Sequence, residues 1–358
     1  MLQAATLHSA AIQAQVVRVI TLSTISFLIA MFSVPLWVRA LKRFGAVKQI
    51  RTRKEAPIYN RFHEKKAGTL TGGGVIFWST TVFLALALWV MGNLWGGVWS
   101  YLSFIDRKET YLPLAALLVA AILGFVDDWM GIRGIGGANG GGLKIRYKSI
   151  IYLIVSAVGA WWFFAKLDWT VLQVPFVGPV EIGWWYVPFF MFIIFASAFS
   201  ANETDGLDGL LGGTALFTFG ALTTVAFLLG RFHLAAFGGV LIGALLAFLW
   251  HNIYPAKYFM GDTGSMSLGI TIGVIAMLTN TPLLLPFFAF IFVLESLSVI
   301  IQLLSKKLLG KKVFLSTPIH HHFEALGWHE SQVTMRFWII SAIASAIGLI
   351  IFIFSLHQ

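Results

Sequence analysis

Residues Leu234–Trp250 read LAAFGGVLIGALLAFLW, an apolar run that contains no charged side chain. A helix needs roughly 20 mostly apolar residues to cross the hydrocarbon of a bilayer, with a range of about 17–25. Nine further runs of similar character lie on either side, and each should be helical because backbone groups cannot stay unpaired in hydrocarbon. We therefore predict an all-α, polytopic integral membrane protein with about ten transmembrane helices, organised as a single domain over residues 1–358. The predicted spans are Val19–Trp37, Gly74–Met91, Leu112–Val126, Ile150–Ala165, Trp184–Ala201, Thr214–Gly230, Leu234–Trp250, Ser265–Thr279, Leu283–Leu304 and Phe337–Leu356.

The composition excludes an ordinary soluble protein and several kinds of functional site. Apolar residues make up 58% of the chain and charged residues only 11%, whereas soluble domains are about a quarter charged. The mean hydropathy is +0.84. The absence of cysteine excludes a disulfide framework, a zinc–thiolate site, an iron–sulfur cluster and a cysteine nucleophile.

The distribution of Lys and Arg predicts how the chain is oriented. Twenty of the 25 basic residues lie on one predicted side of the membrane, ten of them in the loop Val38–Gly73, and five lie on the other side. Basic loops stay in the cytoplasm, so the side with twenty is predicted to be cytoplasmic. The even number of spans then places both termini outside. The net charge of +10 is interpreted as an orientation or anionic-lipid signal and not as nucleic-acid binding. The stretch Gly134–Gly142 is predicted to be a flexible cytoplasmic linker.

Aspartates are concentrated at the predicted cytoplasmic ends of the spans. Asp127 and Asp128 close the third span as adjacent carboxylates, so a divalent cation, a basic neighbour or a shared proton should relieve their repulsion. The alternative is a solvated helix end. Asp262 lies in the sequence Gly-Asp-Thr-Gly-Ser and is a candidate Mg²⁺ ligand, with a plain capped turn as the alternative.

The segment after the fifth span reads NETDGLDG over residues 202–209. Asp205 and Asp208 are three residues apart, so at a helix start they would share one face. The following helix N-terminus could receive a phosphate. Helix capping alone is the alternative interpretation, but five polar side chains in eight residues exceed what capping requires.

Three further features of the sequence allow more than one interpretation. His320, His321 and His322 are consecutive and cannot easily all face one tetrahedral zinc ion, which favours hydrogen bonding to phosphate or sugar, or a pH-sensitive charge. The run from Lys65 to Gly74 offers cations, hydroxyls and bare amides to an anion, or is a basic segment that meets anionic lipid. Glu295, an acid deep inside a predicted span, pairs within the bundle or marks a break in its helix.

Aspartates, basic residues and histidines thus converge on the cytoplasmic face of an integral membrane protein. This combination favours phosphoryl transfer between a soluble anionic donor and a membrane-held acceptor. A transporter is less consistent with the pattern, because transporters place ionisable groups near the midplane and often contain inverted repeats.

The motifs resemble those of a known family, the phospho-N-acetylmuramoyl-pentapeptide transferases of the polyprenyl-phosphate N-acetylhexosamine-1-phosphate transferase superfamily. The resemblance runs through essentially the whole chain. The aspartate motifs are shared with the wider superfamily, so a sister enzyme that uses UDP-GlcNAc or a related donor is the alternative. The run Pro318–His322 favours the muramyl-pentapeptide branch. The motifs are GFVDD at 124–128, TDGLDGL at 204–210 with Asn202, FMGDTGS at 259–265 and PIHHH at 318–322.

The resemblance implies transfer of phospho-MurNAc-pentapeptide from UDP-MurNAc-pentapeptide to undecaprenyl phosphate, with Mg²⁺ as the cofactor. The products would be lipid I and UMP, made at the cytoplasmic face of the bacterial inner (plasma) membrane during peptidoglycan biosynthesis. By the same resemblance, Asp262 would hold Mg²⁺, and Asp127 would be the base that activates the lipid phosphate, with Asp128 beside it. A two-step route through a covalent aspartyl intermediate stays open, and a homodimer is implied.

The remaining site residues follow from the same motifs. Asn202 and Asp205 would line the nucleoside–pyrophosphate region. The three histidines would face the muramyl phosphate, with His320 counted among the catalytic residues. The chain departs from the usual family pattern at Leu70, Gly72, Phe199 and Glu203. The uridine end of the pocket would be formed by Lys66, Thr71, Gly206, Leu207, Asp208, Asn252 and Phe259.

Overall fold

Helices are by far the commonest secondary structure in the computed structural model, which describes residues 2–47, 66, 68–136 and 142–356. A π turn at Trp162–Lys166 and short 3₁₀ turns at Gly183–Trp185 and Pro282–Leu284 lie between the α-helices. The helices are α1 (Leu2–Arg43), α2 (Val75–Trp95), α3 (Val98–Leu102), α4 (Tyr111–Ile132), α5 (Ile145–Trp161), α6 (Tyr186–Thr204), α7 (Leu210–Leu228), α8 (Phe232–Asn252), α9 (Asp262–Leu278), α10 (Leu285–Phe288), α11 (Phe290–Leu309), α12 (Ile319–Ala325) and α13 (Glu330–Ser355).

Each of the ten predicted spans coincides with a helix, but not all ten cross a membrane as simple helices. In the part of the chain that the structure describes, eight helices are long and apolar enough to span a bilayer. The ninth predicted span is broken, since Pro282–Phe288 and Phe290–Leu309 meet at 90°. The eighth corresponds to α9, which has only 17 residues. Within the described residues, eight to nine helices thus have the length and hydropathy of a span, and the 17-residue α9 lies at the lower limit, against about ten predicted.

Helix α9 is short because it is surrounded by protein. All its residues from Thr263 to Leu278 are buried, so its length need not match the thickness of the lipid. Close approach to α4 depends on Gly124, where an added Cβ would lie 2.1 Å from the carbonyl oxygen of Asp262. Small residues allow such backbone contact between membrane helices.

The long helix α1 packs along α8 in the same manner. A Cβ at Gly243 would lie 2.0 Å from the carbonyl oxygen of Ser23. One turn further, the Ser26 hydroxyl donates a hydrogen bond to the Val240 carbonyl over 2.6 Å. These contacts join the two helices at backbone distance.

One small antiparallel hairpin was not part of the all-α prediction. Strands β1 (Val171–Val174) and β2 (Gly178–Glu181) pair with Val171 opposite Glu181. Asn280, in the turn after α9, accepts a hydrogen bond from the Gln173 amide over 3.1 Å and donates one to the Val171 carbonyl over 3.2 Å. The hairpin is thereby attached to the end of the central helix.

The helix ends that were predicted to be cytoplasmic meet at one end of the molecule. There, Lys66 contacts both the turn before α7 and the start of α13, and the ends of α4 and α6 meet the start of α9. At the opposite end, Arg18 of α1 donates to the Ser103 carbonyl over 2.8 Å. Part of the predicted basic loop and of the predicted glycine linker lies outside the described residues, namely Lys48, Arg51, Arg53, Lys54, Arg61, Lys65 and residues 137–141.

Candidate active site

Two carboxylates share one ammonium group where α4, α5 and α9 meet. The Lys148 Nζ lies 2.7 Å from a carboxylate oxygen of Asp127 and 2.7 Å from one of Asp262. The Asp127 side chain is 2% exposed and that of Asp262 is 21% exposed. The other oxygen of Asp127 accepts the Leu143 amide. Asp262 is therefore the carboxylate that a ligand can approach, while Asp127 lies beneath it.

Asn202, at the end of α6, fixes the second oxygen of Asp262. Its side-chain amide donates to Asp262 Oδ1 over 2.6 Å and lies 3.3 Å from the Ser265 hydroxyl. The sequence motifs of α4, α6 and α9 are thus brought into direct contact. We call Asp127, Asp128, Lys148, Asn202 and Asp262 the aspartate cluster.

Asp128 has a different environment from its neighbour Asp127. Its two carboxylate oxygens accept the backbone amides of Asp262 over 2.9 Å and Thr263 over 3.0 Å. A carboxylate at a helix N-terminus satisfies unpaired N–H groups and is favoured by the helix dipole. Gly261, with φ of +75°, allows this contact, because a Cβ there would lie 2.5 Å from Asp128 Oδ2. Asp128 therefore holds α9 in place beside Asp127.

Lys66 forms a second centre with two carboxylates. Its ammonium lies 2.7 Å from Asp208 Oδ1 and also contacts Glu330 Oε1. Burial disfavours the charged form of Lys66, but Glu330 and Asp208 outweigh that effect and raise its pKa above the ordinary value. Lys66 is therefore a permanent cation near neutral pH. Its ammonium also lies 5.6 Å from the centre of the Phe259 ring.

The turn that contains Asp208 is held by side chains from distant helices. The Asp208 amide donates to Glu330 Oε1 over 2.6 Å, and the Gly209 amide donates to Asn252 Oδ1 over 3.1 Å. Helix α7 begins only at Leu210, so Asp205 and Asp208 lie in a turn. The expectation that they share a helix face is wrong, because left-handed Gly209 (φ +73°) starts the helix after both of them.

Segments 70–74 and 258–261 connect the two centres through backbone pairing. The Phe259 amide donates to the Leu70 carbonyl over 2.8 Å, and the Gly73 amide donates to the Phe259 carbonyl over 2.9 Å. The Thr71 amide donates to the Ala46 carbonyl over 2.8 Å. Thr71 and Phe259 therefore belong to the paired segments that join the Lys66 centre to the aspartate cluster.

The three consecutive histidines have three different partners. The Nδ1 of His320 lies 2.9 Å from Glu295 Oε2, and both side chains are buried. The Nδ1 of His321 lies 2.6 Å from Glu324 Oε2. The Nδ1 of His322 accepts the Leu315 amide over 3.2 Å. The structure thus brings His320 and His321 to carboxylates and directs His322 elsewhere.

Glu295 therefore pairs within the bundle, and the helix break lies earlier, at Ala289. The His320 ring packs directly on Gly206, where a Cβ would lie 2.2 Å from Nε2. Since Asp208 is two residues further on, the turn 205–209 contacts both the histidines and the Lys66 centre. Leu207 belongs to the apolar cluster with Leu210 and Ile291, so its side chain is part of the packing beneath that turn.

Sequence reasoning did not identify three residues of these centres as site residues. In the sequence, Lys148 serves only as an orientation signal, and nothing in the pattern marks Glu324 or Glu330. Glu330 begins the last span, where an acidic residue is unremarkable because acids are favoured in the first turn of a helix. None of the three lies in a recognisable motif, so only the folded arrangement identifies them.

The four departures from the family pattern differ in their proximity to the aspartate cluster. Gly72 has φ of +81°, and an added Cβ would lie 4.0 Å from Asp128 Oδ2. Leu70 is buried and pairs with Tyr258, while Phe199 stacks on Phe195 with ring centres 6.3 Å apart. Glu203 is half-buried one residue after Asn202.

The fold and the site define a class, the polytopic helical membrane proteins with carboxylates and lysines gathered at one end. The sequence profile of glycosyl transferase family 4 matches residues 110–280 of this chain. Full-length relatives narrow the class. A phospho-N-acetylmuramoyl-pentapeptide-transferase of Geobacillus kaustophilus is 37% identical over 91% of this chain and 95% of its own length. Proteins of the same name from Chloroflexus aurantiacus and Borreliella burgdorferi are 34% and 36% identical, over 93% and 90% of this chain and 89% and 92% of their own lengths. The chain belongs to the phospho-N-acetylmuramoyl-pentapeptide-transferase family.

Proposed function

We propose that this chain transfers phospho-N-acetylmuramoyl-pentapeptide from UDP-MurNAc-pentapeptide to undecaprenyl phosphate, giving lipid I and UMP in peptidoglycan biosynthesis. Family membership over about nine-tenths of the chain carries this proposal. The convergence of Asp127, Lys148 and Asp262 supports it, because it gathers the charges that phosphoryl transfer requires. An oxygen of the lipid phosphate would attack the phosphorus that bears the sugar, and the bond from that phosphorus to UMP would break.

The aspartate cluster fits Mg²⁺. Two carboxylates already share one cation there, Lys148 Nζ, so the position favours positive charge. Among the described residues, no three His, Asp or Glu side chains are grouped to hold a metal. Mg²⁺ commonly takes one or two protein carboxylates together with substrate phosphates. Asp262 would be the principal ligand, and the ion would offset charge on the pyrophosphate.

Asp127 is the proposed base for the acceptor phosphate, as the family motif implies. In the structure its oxygens are engaged by Lys148 and the Leu143 amide. We therefore assign Lys148 a part in catalysis. When Lys148 turns towards the donor phosphates, an oxygen of Asp127 becomes available to accept the proton.

The Lys66 centre suits the nucleotide end of the donor. Lys66 supplies a permanent positive charge beside the aromatic face of Phe259, and Glu330 and Asn252 fix the neighbouring turn 205–209 through its backbone amides. His320 is buried against Gly206, so it would act on the muramyl phosphate side by supporting this turn and not by direct contact. We further propose that the protein resides in the bacterial plasma membrane with this end in the cytoplasm, and that it forms a homodimer.

The direct test is product formation by purified protein. Fluorescent UDP-MurNAc-pentapeptide and undecaprenyl phosphate are supplied with Mg²⁺ or with excess EDTA, and lipid product and UMP are measured. We expect Mg²⁺-dependent lipid I formation that is lost in Asp262→Asn and kept in Asp168→Asn, an exposed aspartate in the turn before the hairpin. Transfer from UDP-GlcNAc alone would assign the chain to the sister branch. No transfer from either donor by folded protein would refute the proposed activity.

A further inference from the structure

Helix α11 carries its polar residues inside and its apolar residues outside. Its buried face repeats at helical spacing through Glu295, Ser298, Gln302 and Ser305. A helix in water shows the reverse arrangement, whereas polar groups of a membrane helix face the protein interior. The outer face of α11 is therefore a lipid-facing surface. Along it, Leu297, Ile301, Leu304 and Leu308 are 46%, 43%, 51% and 73% exposed.

The loop after α11 folds back onto the helix through two of these buried polar groups. Gln302 Oε1 accepts the Val313 and Phe314 amides, both over 3.0 Å, and its side-chain nitrogen donates to the Phe314 carbonyl over 2.9 Å. The Ser305 hydroxyl donates to the Lys311 carbonyl over 2.9 Å. Residues 306–315, which we call the basic arm, thus have a defined backbone course at the end of the lipid-facing surface.

Four lysines project from the basic arm without acidic neighbours in sequence. Lys306, Lys307, Lys311 and Lys312 are all exposed, and no acidic residue occurs between Glu295 and Glu324. Four ammonium groups within seven residues repel one another unless anions lie nearby. Exposed apolar side chains alternate with them, with Leu309 at 69% and Val313 at 55% exposed.

We propose that the basic arm is a binding site for anionic phospholipid, in which the lysines contact the lipid phosphates and the leucines and Val313 enter the acyl region. Charge complementarity selects this occupant, since clusters of lysine beside an apolar surface are attracted to anionic lipid. The backbone contacts of Gln302 and Ser305 distinguish the basic arm from a loose basic loop, because they fix where the four charges lie. The binding site is independent of the proposed transferase activity.

The absence of cysteine allows a site-specific test. Ser316→Cys, next to the basic arm, is labelled with a donor fluorophore and reconstituted in phosphatidylcholine liposomes. Energy transfer is measured to acyl-chain-labelled phosphatidylglycerol and, separately, to equally labelled phosphatidylcholine. We expect greater transfer to phosphatidylglycerol, and its enrichment should fall on the order of fivefold for each lysine removed. The combined variant K306Q/K307Q/K311Q/K312Q should abolish the enrichment.

Two control variants test whether the charge of the basic arm, and its position, cause the enrichment. Replacing the same four lysines by arginine keeps the charge and should keep the enrichment. Replacing Lys42, Arg43, Lys144 and Arg146, which are exposed on the same predicted side, by glutamine removes equal charge elsewhere and should also keep it. Equal transfer to both lipids in the parent protein, enrichment that survives the loss of the four lysines, or equal loss in the glutamine control would each overturn the proposal.

Discussion

The ammonium of Lys148 lies 2.7 Å from carboxylate oxygens of both Asp127 and Asp262, in surroundings that exclude most solvent. Removing one partner of a buried ion pair leaves an uncompensated charge, which typically costs about 3 kcal/mol or more. We expect Lys148→Met to lower the free energy of unfolding by about that amount and to abolish lipid-product formation. Thermal unfolding in detergent and the transfer assay measure the two effects.

A double variant separates stability from catalysis at this position. In Asp127→Asn/Lys148→Met, one negative and one positive charge disappear together, so stability should recover while activity stays lost. If Lys148→Met alone unfolds like the parent protein, the ion pair does not contribute to stability as argued. If it also retains turnover, Lys148 has no part in catalysis.

Glu295 and His320 form a second buried pair, with the Nδ1–Oε2 distance at 2.9 Å. Glu295→Ala removes the hydrogen-bonding partner of Nδ1, and an unsatisfied buried polar group costs about 1–3 kcal/mol. Glu295→Gln keeps a neutral acceptor and should recover most of this stability. We expect turnover to follow the same order, parent above Gln above Ala, in parallel assays. Equal turnover in all three proteins would exclude a positioning role for Glu295.

At the residue scale, the motifs predicted the aspartates of each contact but not their basic or acidic partners. Asp127, Asp128 and Asp262 stand in recognisable runs, so their proximity to a reaction centre could be expected. Lys148 meets Asp262 across 114 positions, and Glu330 meets the Asp208 amide across 122. Such pairing depends on which helices are neighbours, and hydropathy does not encode that. Adjacent Asp127 and Asp128 also acquire different partners only because α9 begins against Asp128.

At the element scale, the contact of α4 with α9 sets the spacing within the aspartate cluster. A Cβ at Gly124 would lie 2.1 Å from the Asp262 carbonyl oxygen, so Gly124→Ala must push the two helices apart. We expect a loss of about 1–3 kcal/mol, as for overpacked cores, together with lower turnover. Gly220→Ala in α7 is the matched control, because its Cβ would meet open space and alanine favours a helix by about 0.5–1 kcal/mol. The contact argument fails if both alanine variants have equal stability.

Elements were predictable wherever hydropathy alone determines them. All ten apolar runs are helical, since lipid and protein interiors both require paired backbone groups. A break in this helix was one of the two interpretations of Glu295, but its position was not predicted, because it falls at Ala289 between two phenylalanines without a proline or glycine at the junction. The hairpin Val171–Glu181 was not predicted because each strand has only four residues. The 17-residue α9 resembled a short span in sequence, and its burial among other helices becomes visible only in the fold.

At the scale of the whole molecule, successive spans run in opposite directions, so the candidate site residues and most basic residues lie at one end. The aspartate cluster, the Lys66 centre and His320 all lie on the side that the basic loops predict to be cytoplasmic. Arg18 and His233, with Arg18 Nη2 3.3 Å from His233 Nδ1, lie at the other end, as does the hairpin. A soluble nucleotide donor and a membrane-held acceptor would therefore meet the protein from the side that carries most of the positive charge.

The predicted orientation in the membrane can be tested in cells. The parent chain contains no cysteine, so it serves as the unlabelled control. Single cysteines replace exposed residues at opposite ends, Lys108 between α3 and α4 and Lys312 in the basic arm. A membrane-impermeant maleimide should label the Lys108→Cys protein in spheroplasts and the Lys312→Cys protein only after permeabilisation, since the side with twenty basic residues is retained in the cytoplasm. Val177→Cys at the hairpin tip, where the side chain is 72% exposed, should behave like Lys108→Cys because the hairpin adjoins the far end of α9. Labelling in the reverse order would turn the molecule over and place the aspartate cluster outside the cell, where the proposed reaction could not meet a cytoplasmic nucleotide donor.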